Sequence, residues 1–174
     1  SALWMRPKNE ITPDQYKEFY HHVSHLPDEP WMTLHNKAEG KLEYTSLLFA
    51  PSSTPMDLFH PDRKSRIKLY VKRVFITEEH ADLVPSYLRF LRGVVDSEDL
   101  PLNVSREMVQ SNPVLRQMRR AITNRIFRDL KNLAENDAEK YRKFWDEFGV
   151  FMKEGVASDP ASHESLVELL RFQS

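Results

Sequence analysis

No cysteine occurs in the 174-residue chain. That excludes a disulfide framework and any thiolate metal site, and it is compatible with a reducing compartment. Glycine is almost as scarce, with four in the whole sequence. None falls in a GxxxxGKS/T loop or another glycine-rich phosphate cradle, so the chain carries no obvious nucleotide pocket of its own. Neither sign of charge dominates: 25 lysines and arginines face 26 aspartates and glutamates, for a formal net charge of -1. This leaves no bulk electrostatic footprint for nucleic acid or a membrane surface. No apolar run approaches membrane-spanning length, and the opening residues lack the pattern of a signal peptide.

What is present is an ordinary globular composition, 40% hydrophobic and 29% charged. It suffices for one sizeable core, or for one domain with a smaller helical appendage. The chain opens Ser1-Ala2-Leu3-Trp4, without methionine, and stops on the apolar-rich stretch 166–172 with no polar tail. Both ends are those expected of a segment of a longer protein.

Along the chain, Thr12-Pro13-Asp14-Gln15 predicts a helix start. Thr12 can cap, Pro13 suits the first helical position and Gln15 can reach back as in a capping box. Tyr16, Phe19, Tyr20 and Val23 then share one face, expected to point at the core. Residues 33–37 and 42–50 read as strands of a hairpin around Ala38-Glu39-Gly40, the second buried on both sides at its end. Residues 67–77 read as one strand, 85–91 as a short helix, and 93–95 as a further strand. Helix, hairpin, strand, helix and strand predict a three-layer α-β-α sandwich over residues 1–112. Beyond Pro113 the pattern becomes purely helical. Leu115, Met118, Ile122, Ile126, Leu130 and Leu133 form one stripe. Tyr141, Phe144, Trp145, Phe148, Phe151 and Met152 form a second, ended at Gly155. A third region begins at Asp159-Pro160, with Leu166, Leu169 and Leu170 inward. Residues 113–174 are therefore expected to be a small three-helix coil.

Several groups invite a functional reading. His21, His22 and His25 place two histidines on one helical face, but no HExxH pattern or companion ligand completes a metal site, and no metal is expected. Arg116, Arg119, Arg120, Arg125, Arg128 and Lys131 make the long helix basic. Acidic residues follow at once and no aromatic alternates with the charges, so a solvated face outweighs nucleic acid. Trp31 and Met32 follow Pro30, and Met56, Leu58 and Phe59 follow Pro55. Such residues are either lids tucked on a core or an adaptable apolar surface, and on sequence alone the lid leads.

The most informative stretch is 96–110. A proline-stiffened loop, Leu100-Pro101-Leu102-Asn103-Val104, runs into a helix start at Ser105. That helix carries Arg106 and Gln110 four residues apart on one face. A guanidinium at the mouth of a helix, backed by an amide one turn on, suits the γ-phosphate of a nucleotide. The run Asp96-Ser97-Glu98-Asp99-Leu100-Pro101-Leu102-Asn103-Val104-Ser105-Arg106-Glu107-Met108 resembles the signature of the heat shock protein 90 chaperones. Further segments resemble the middle part of that family in the same order. They are Ile11-Thr12 through Glu18-Phe19-Tyr20, Ile67-Lys68-Leu69-Tyr70-Val71, Arg73-Val74-Phe75-Ile76 and Leu169-Leu170-Arg171-Phe172. Asp137-Ala138-Glu139-Lys140-Tyr141, with Phe144-Trp145 and Phe148-Gly149, is most similar to the bacterial branch.

The resemblance implies a cytoplasmic, ATP-dependent chaperone. ATP with Mg2+ would be held by a separate N-terminal domain, and a C-terminal domain would dimerise the parent. Arg106 would meet the γ-phosphate, supported by Gln110 and with Asn103 in the same loop. Trp31, Met32, Met56 and Phe59 would be candidate contacts for unfolded or partly folded clients, and co-chaperones would be further partners. The segment alone would be monomeric and catalytically inert. Two other readings stay open: a pure protein-interaction module whose loop arginine is structural, and an RNA-binding α/β domain.

Overall fold

A computed structural model describes residues 2–59, 66–78, 82–105, 109 and 111–172, apart from the side chains of Met56 and Asp57. The first helix, α1 (Pro13–Ser24), starts where the capping residues predict. Gln15 N–H donates to Thr12 Oγ1 and Thr12 N–H to Gln15 Oε1, with Pro13 in the first turn. It ends at His25, whose left-handed φ of 58° turns the chain while its N–H still reaches the His21 carbonyl.

Five strands follow: β1 (Met32–Ala38), β2 (Tyr44–Ala50), β3 (Arg66–Val71), β4 (Val74–Thr77) and β5 (Arg92–Ser97). They form one mixed sheet in the order β1-β2-β5-β3-β4. Only the β3–β5 pairing is parallel; the other neighbours run antiparallel. Gly93 sits at the middle of the sheet with φ 139°, where an added Cβ would come within 2.0 Å of the Leu47 carbonyl oxygen. No other residue allows β2 and β5 to approach this closely.

Alternation along the strands serves two layers. Leu47, Phe49 and Val94 pack with Trp4, Tyr20 and Val23 on the α1 side. Leu48, Ala50, Ile67, Leu69, Val71 and Val95 face the opposite side. There the covering layer is supplied by α2 (Pro113–Asn136), α3 (Ala138–Ser158) and α4 (His163–Arg171). Their buried stripes, including Met118, Ile126, Leu130, Phe144, Phe148, Phe151 and Leu169, join the strand residues in one apolar cluster.

Three expectations need correction. Residues 67–77 are not one strand but the β3–β4 hairpin. Lys72 and Arg73 form its turn, with φ of 47° and 66°. Their unfavourable conformation is held by Lys72 N–H donating to the Ser97 carbonyl and by Arg73 bonding the buried Asp96. Residues 85–91 hold a single 3-10 turn, Ser86–Leu88, because nearly the whole segment is buried beneath α3. Finally, α3 does not stop at Gly155 but runs to Ser158. Gly155 lies against the Tyr87 ring, where a Cβ would stand 2.8 Å from Cδ1. That glycine permits close packing and does not end the helix.

Candidate functional site

β3 and β5 are parallel, so their carboxyl ends emerge at one edge of the sheet, the position from which α/β sheets commonly present binding loops. The 96–110 stretch leaves from this edge. Ser97 Oγ accepts the N–H groups of Asp99 and Leu100, both at 3.1 Å, and reverses the chain. The Asp99 carboxylate takes Glu43 N–H at 2.7 Å, while Glu98 N–H donates to the Glu43 carbonyl, tying the loop base to the β1–β2 hairpin. Val104 N–H closes the next turn onto the Pro101 carbonyl.

Leu100, Val104 and Val109 are all buried in the main apolar cluster. Between these pins, Asn103 and Ser105 are exposed, and Leu102 is 53% exposed. The outward Leu102 had no counterpart among the sequence candidates, since nothing in the sequence separates it from the buried Leu100. Val109 N–H donates to the Ser105 carbonyl at 3.0 Å. Asn112 Oδ1 then caps α2 by accepting Val114 N–H. Arg106 and Gln110 lie outside the described residues, as does the side chain of Met56.

The apolar candidates separate. Met32 is buried at the start of β1, paired with Ala50, and is therefore corrected from a surface contact to a core residue. Trp31 is half-buried, with Lys140 Nζ 5.9 Å from its ring centroid. Phe59 is 57% exposed, its ring 5.2 Å from that of Phe151.

The connection carrying Phe59 is anchored to α3 by groups that no sequence motif signalled. Thr54 donates its N–H and hydroxyl to Glu147. Arg89, 6% exposed, donates Nε to the Leu58 carbonyl and both terminal nitrogens to Glu154, with its guanidinium over the Phe151 ring.

Other polar groups are structural. His21 bonds the Asp28 carbonyl, and no cluster able to hold a metal occurs among the described residues. His35 Nε2 lies 2.8 Å from the Trp4 carbonyl and must donate there, leaving Nδ1 to accept the Tyr16 hydroxyl. Burial holds this imidazole below its usual value, so it stays neutral. Asp96, 1% exposed, is paired with Arg73 and the Trp4 indole N–H. The glycines are at Gly40 in the β1–β2 turn, Gly93 in β5, and Gly149 and Gly155 within α3. None adjoins a helix start as a phosphate cradle would require.

The family model described as Hsp90 protein matches residues 1–174. The chain belongs to the Hsp90 family. The chaperone protein HtpG of Paramagnetospirillum magneticum and that of Rickettsia prowazekii are each 60% identical to it over 174 residues. Both alignments cover all of this chain and 28% of the relative, so the chain spans little more than a quarter of the length of these curated relatives. A solved structure, the middle domain of a heat shock protein of Plasmodium falciparum, superposes with a TM-score of 0.83 at 31% identity. It covers 97% of this chain and 65% of that one. The mixed α/β architecture is thus that of an Hsp90 middle domain, and the resemblance in the 96–108 run is one of family membership. No helix among the described residues is long and apolar enough to cross a membrane.

Proposed function

We propose that the chain is the middle segment of an ATP-dependent chaperone, and that its 96–110 loop completes a nucleotide site housed in a separate N-terminal domain. Arg106 reaches the γ-phosphate, Gln110 supports it from one helical turn further on, and Asn103 lies in the same loop. The observation that carries this reading is the pinning of the loop. Leu100, Val104 and Val109 are buried on either side of outward-facing Leu102, Asn103 and Ser105. A loop held by core residues keeps its geometry when a charged group docks, which a transition-state contact needs.

Catalysis is then conditional on a closed arrangement of domains, with the guanidinium neutralising charge that builds on the transferred phosphoryl. Mg2+ belongs with the nucleotide in the N-terminal domain. This segment by itself neither binds ATP tightly nor hydrolyses it. A C-terminal domain dimerises the parent in the cytoplasm, and the segment alone is monomeric. Clients and co-chaperones are the remaining partners, with Trp31, Met56 and Phe59 as client contacts. The layout divides at 112/113 into a layered part and a helical coil that share one apolar core.

Single-turnover hydrolysis beside equilibrium ATP binding, in the intact parent, tests the assignment. Arg106→Ala lowers the rate by about a hundredfold or more with ATP affinity nearly unchanged, since loss of an arginine finger typically costs about 10³–10⁵ and domain closure masks part of that. Gln110→Ala gives a smaller loss, and Arg106→Lys rescues incompletely because an ammonium lacks the planar two-pronged contact. Parental hydrolysis by Arg106→Ala would replace this reading with that of a pure interaction module.

A further inference from the structure

The basic residues of α2 are not equivalent. Arg125 is paired with Asp129 at 3.2 Å, and Lys131 with Glu168 at 2.9 Å. Arg116, Arg119 and Arg120 have no ion-pair partner among the described residues. They lie at i, i+3 and i+4, hence on one helical face, and all three line a cleft of about 460 Å³ between α2, the Ser86–Leu88 turn and the end of α3. The cleft's one carboxylate, Asp159, already accepts the Tyr87 hydroxyl at 2.7 Å. Burial and this bond hold the Tyr87 proton in place, so Tyr87 adds no negative charge. The remaining polar wall comes from Ser86, Thr123, Asn124, Ser158 and Ser162. The result is a concave surface with an excess of two positive charges on a chain whose net charge is -1.

The geometry points to this cleft as a docking site for an acidic polypeptide segment, recognised by paired guanidinium–carboxylate contacts from Arg116, Arg119 and Arg120. Guanidinium forks match carboxylates two-to-two, and because Arg116 and Arg120 are exposed the pairs stay sensitive to salt. A phosphate group can meet the same guanidinium forks, but three arginines spaced along one helical face suit a chain carrying several carboxylates better than a single anion. Nucleic acid fits less well again. Tyr87, the cleft's one aromatic, is 2% exposed and offers no stacking face.

Fluorescence anisotropy with a labelled oligoglutamate peptide tests the site, using an oligoglutamine peptide of equal length as the uncharged comparison. Arg116→Gln, Arg119→Gln and Arg120→Gln should each weaken binding by about tenfold, the worth of one charge-assisted contact. The triple variant should abolish it, and added salt should weaken it throughout. Arg128→Gln, on the same helix but outside the cleft, should leave it unchanged. Asp159→Asn keeps an acceptor for Tyr87, removes the one opposing charge and should tighten binding. Circular dichroism of every variant separates loss of binding from loss of fold. Equal effects at Arg128, binding of oligoglutamine, or no saturable oligoglutamate binding each overturn the proposal. So does a pyrophosphate or single-stranded oligonucleotide that binds more tightly than oligoglutamate through the same arginines. The outcome is independent of ATP hydrolysis, so it stands or falls separately from the role of Arg106.

Discussion

Replacing Trp145 and Gly149 singly and together probes the packing of α3 through two opposing effects. Trp145 is 6% exposed, and its ring centroid lies 6.1 Å from that of Tyr141 within the apolar cluster. Trp145→Ala removes a large buried aromatic and should cost about 3–5 kcal/mol. Gly149 follows one turn later, and a Cβ there would stand 2.7 Å from Nε1 of the indole and 2.9 Å from Cδ1. Gly149→Ala therefore forces the ring to move, an overpacking cost of about 1–3 kcal/mol, offset by roughly 1 kcal/mol of better helix propensity. In the Trp145→Ala background the clash disappears and only the propensity gain remains. Gly149→Ala should then stabilise by up to about 1 kcal/mol. The two sites are predicted to couple by about 1–3 kcal/mol, far outside the additivity of independent positions. Urea denaturation of the four proteins, compared at constant m, measures every corner of the cycle. A loss below about 1 kcal/mol for Trp145→Ala, or the same effect of Gly149→Ala in both backgrounds, would refute the packing argument.

Two further outcomes follow from buried polar groups. His35 has a folded pKa below its unfolded value, so the unfolded chain takes up protons first as pH falls. Its contribution should be flat above about pH 6.5 and become progressively destabilising below it, until the folded imidazole also titrates. Unfolding free energies from about pH 7 to 5 should therefore fall more steeply for the parent than for His35→Gln; equal slopes would show that His35 is not shifted. Arg89→Ala should cost about 1.5–3 kcal/mol, the scale of a hydrogen bond to a charged group. It should also speed proteolysis within residues 51–59, because Leu58 loses its anchor. Denaturation with limited proteolysis checks both, and unchanged cleavage would mean the connection is held elsewhere.

What the sequence revealed was local chemistry. Thr12, Pro13 and Gln15 announce α1 because a cap is built from neighbours in the chain, and the stripes of α2 and α3 are visible because burial repeats at helical period. The β3–β4 turn escaped detection because Lys72 and Arg73 are not turn formers. Their left-handed conformation is imposed by Ser97 and Asp96, more than twenty residues away. Gly155 misled for a similar reason: a glycine serving a distant tyrosine looks the same in sequence as one that ends a helix. At the loop, the Arg106–Gln110 spacing is a feature of the sequence that lies outside the described residues, and its significance came from family resemblance. Which leucine turns inward, and the Arg89 anchor on the 51–59 connection, depend on tertiary neighbours that no window of sequence contains.

The place of β5 has a consequence for the order of assembly. β1–β2 and β3–β4 are each hairpins that close from local contacts, yet they do not touch one another in the sheet; β5, last in the chain, slides between β2 and β3 and bonds to both. Until it does, a growing chain holds two separate ribbons with open edges, and the non-local pairings that join them are the slow ones. The 96–110 stretch is the direct continuation of that final strand. The described base of that stretch is tied to Ser97 and Glu43, so its anchors are complete only when β5 is paired with β2.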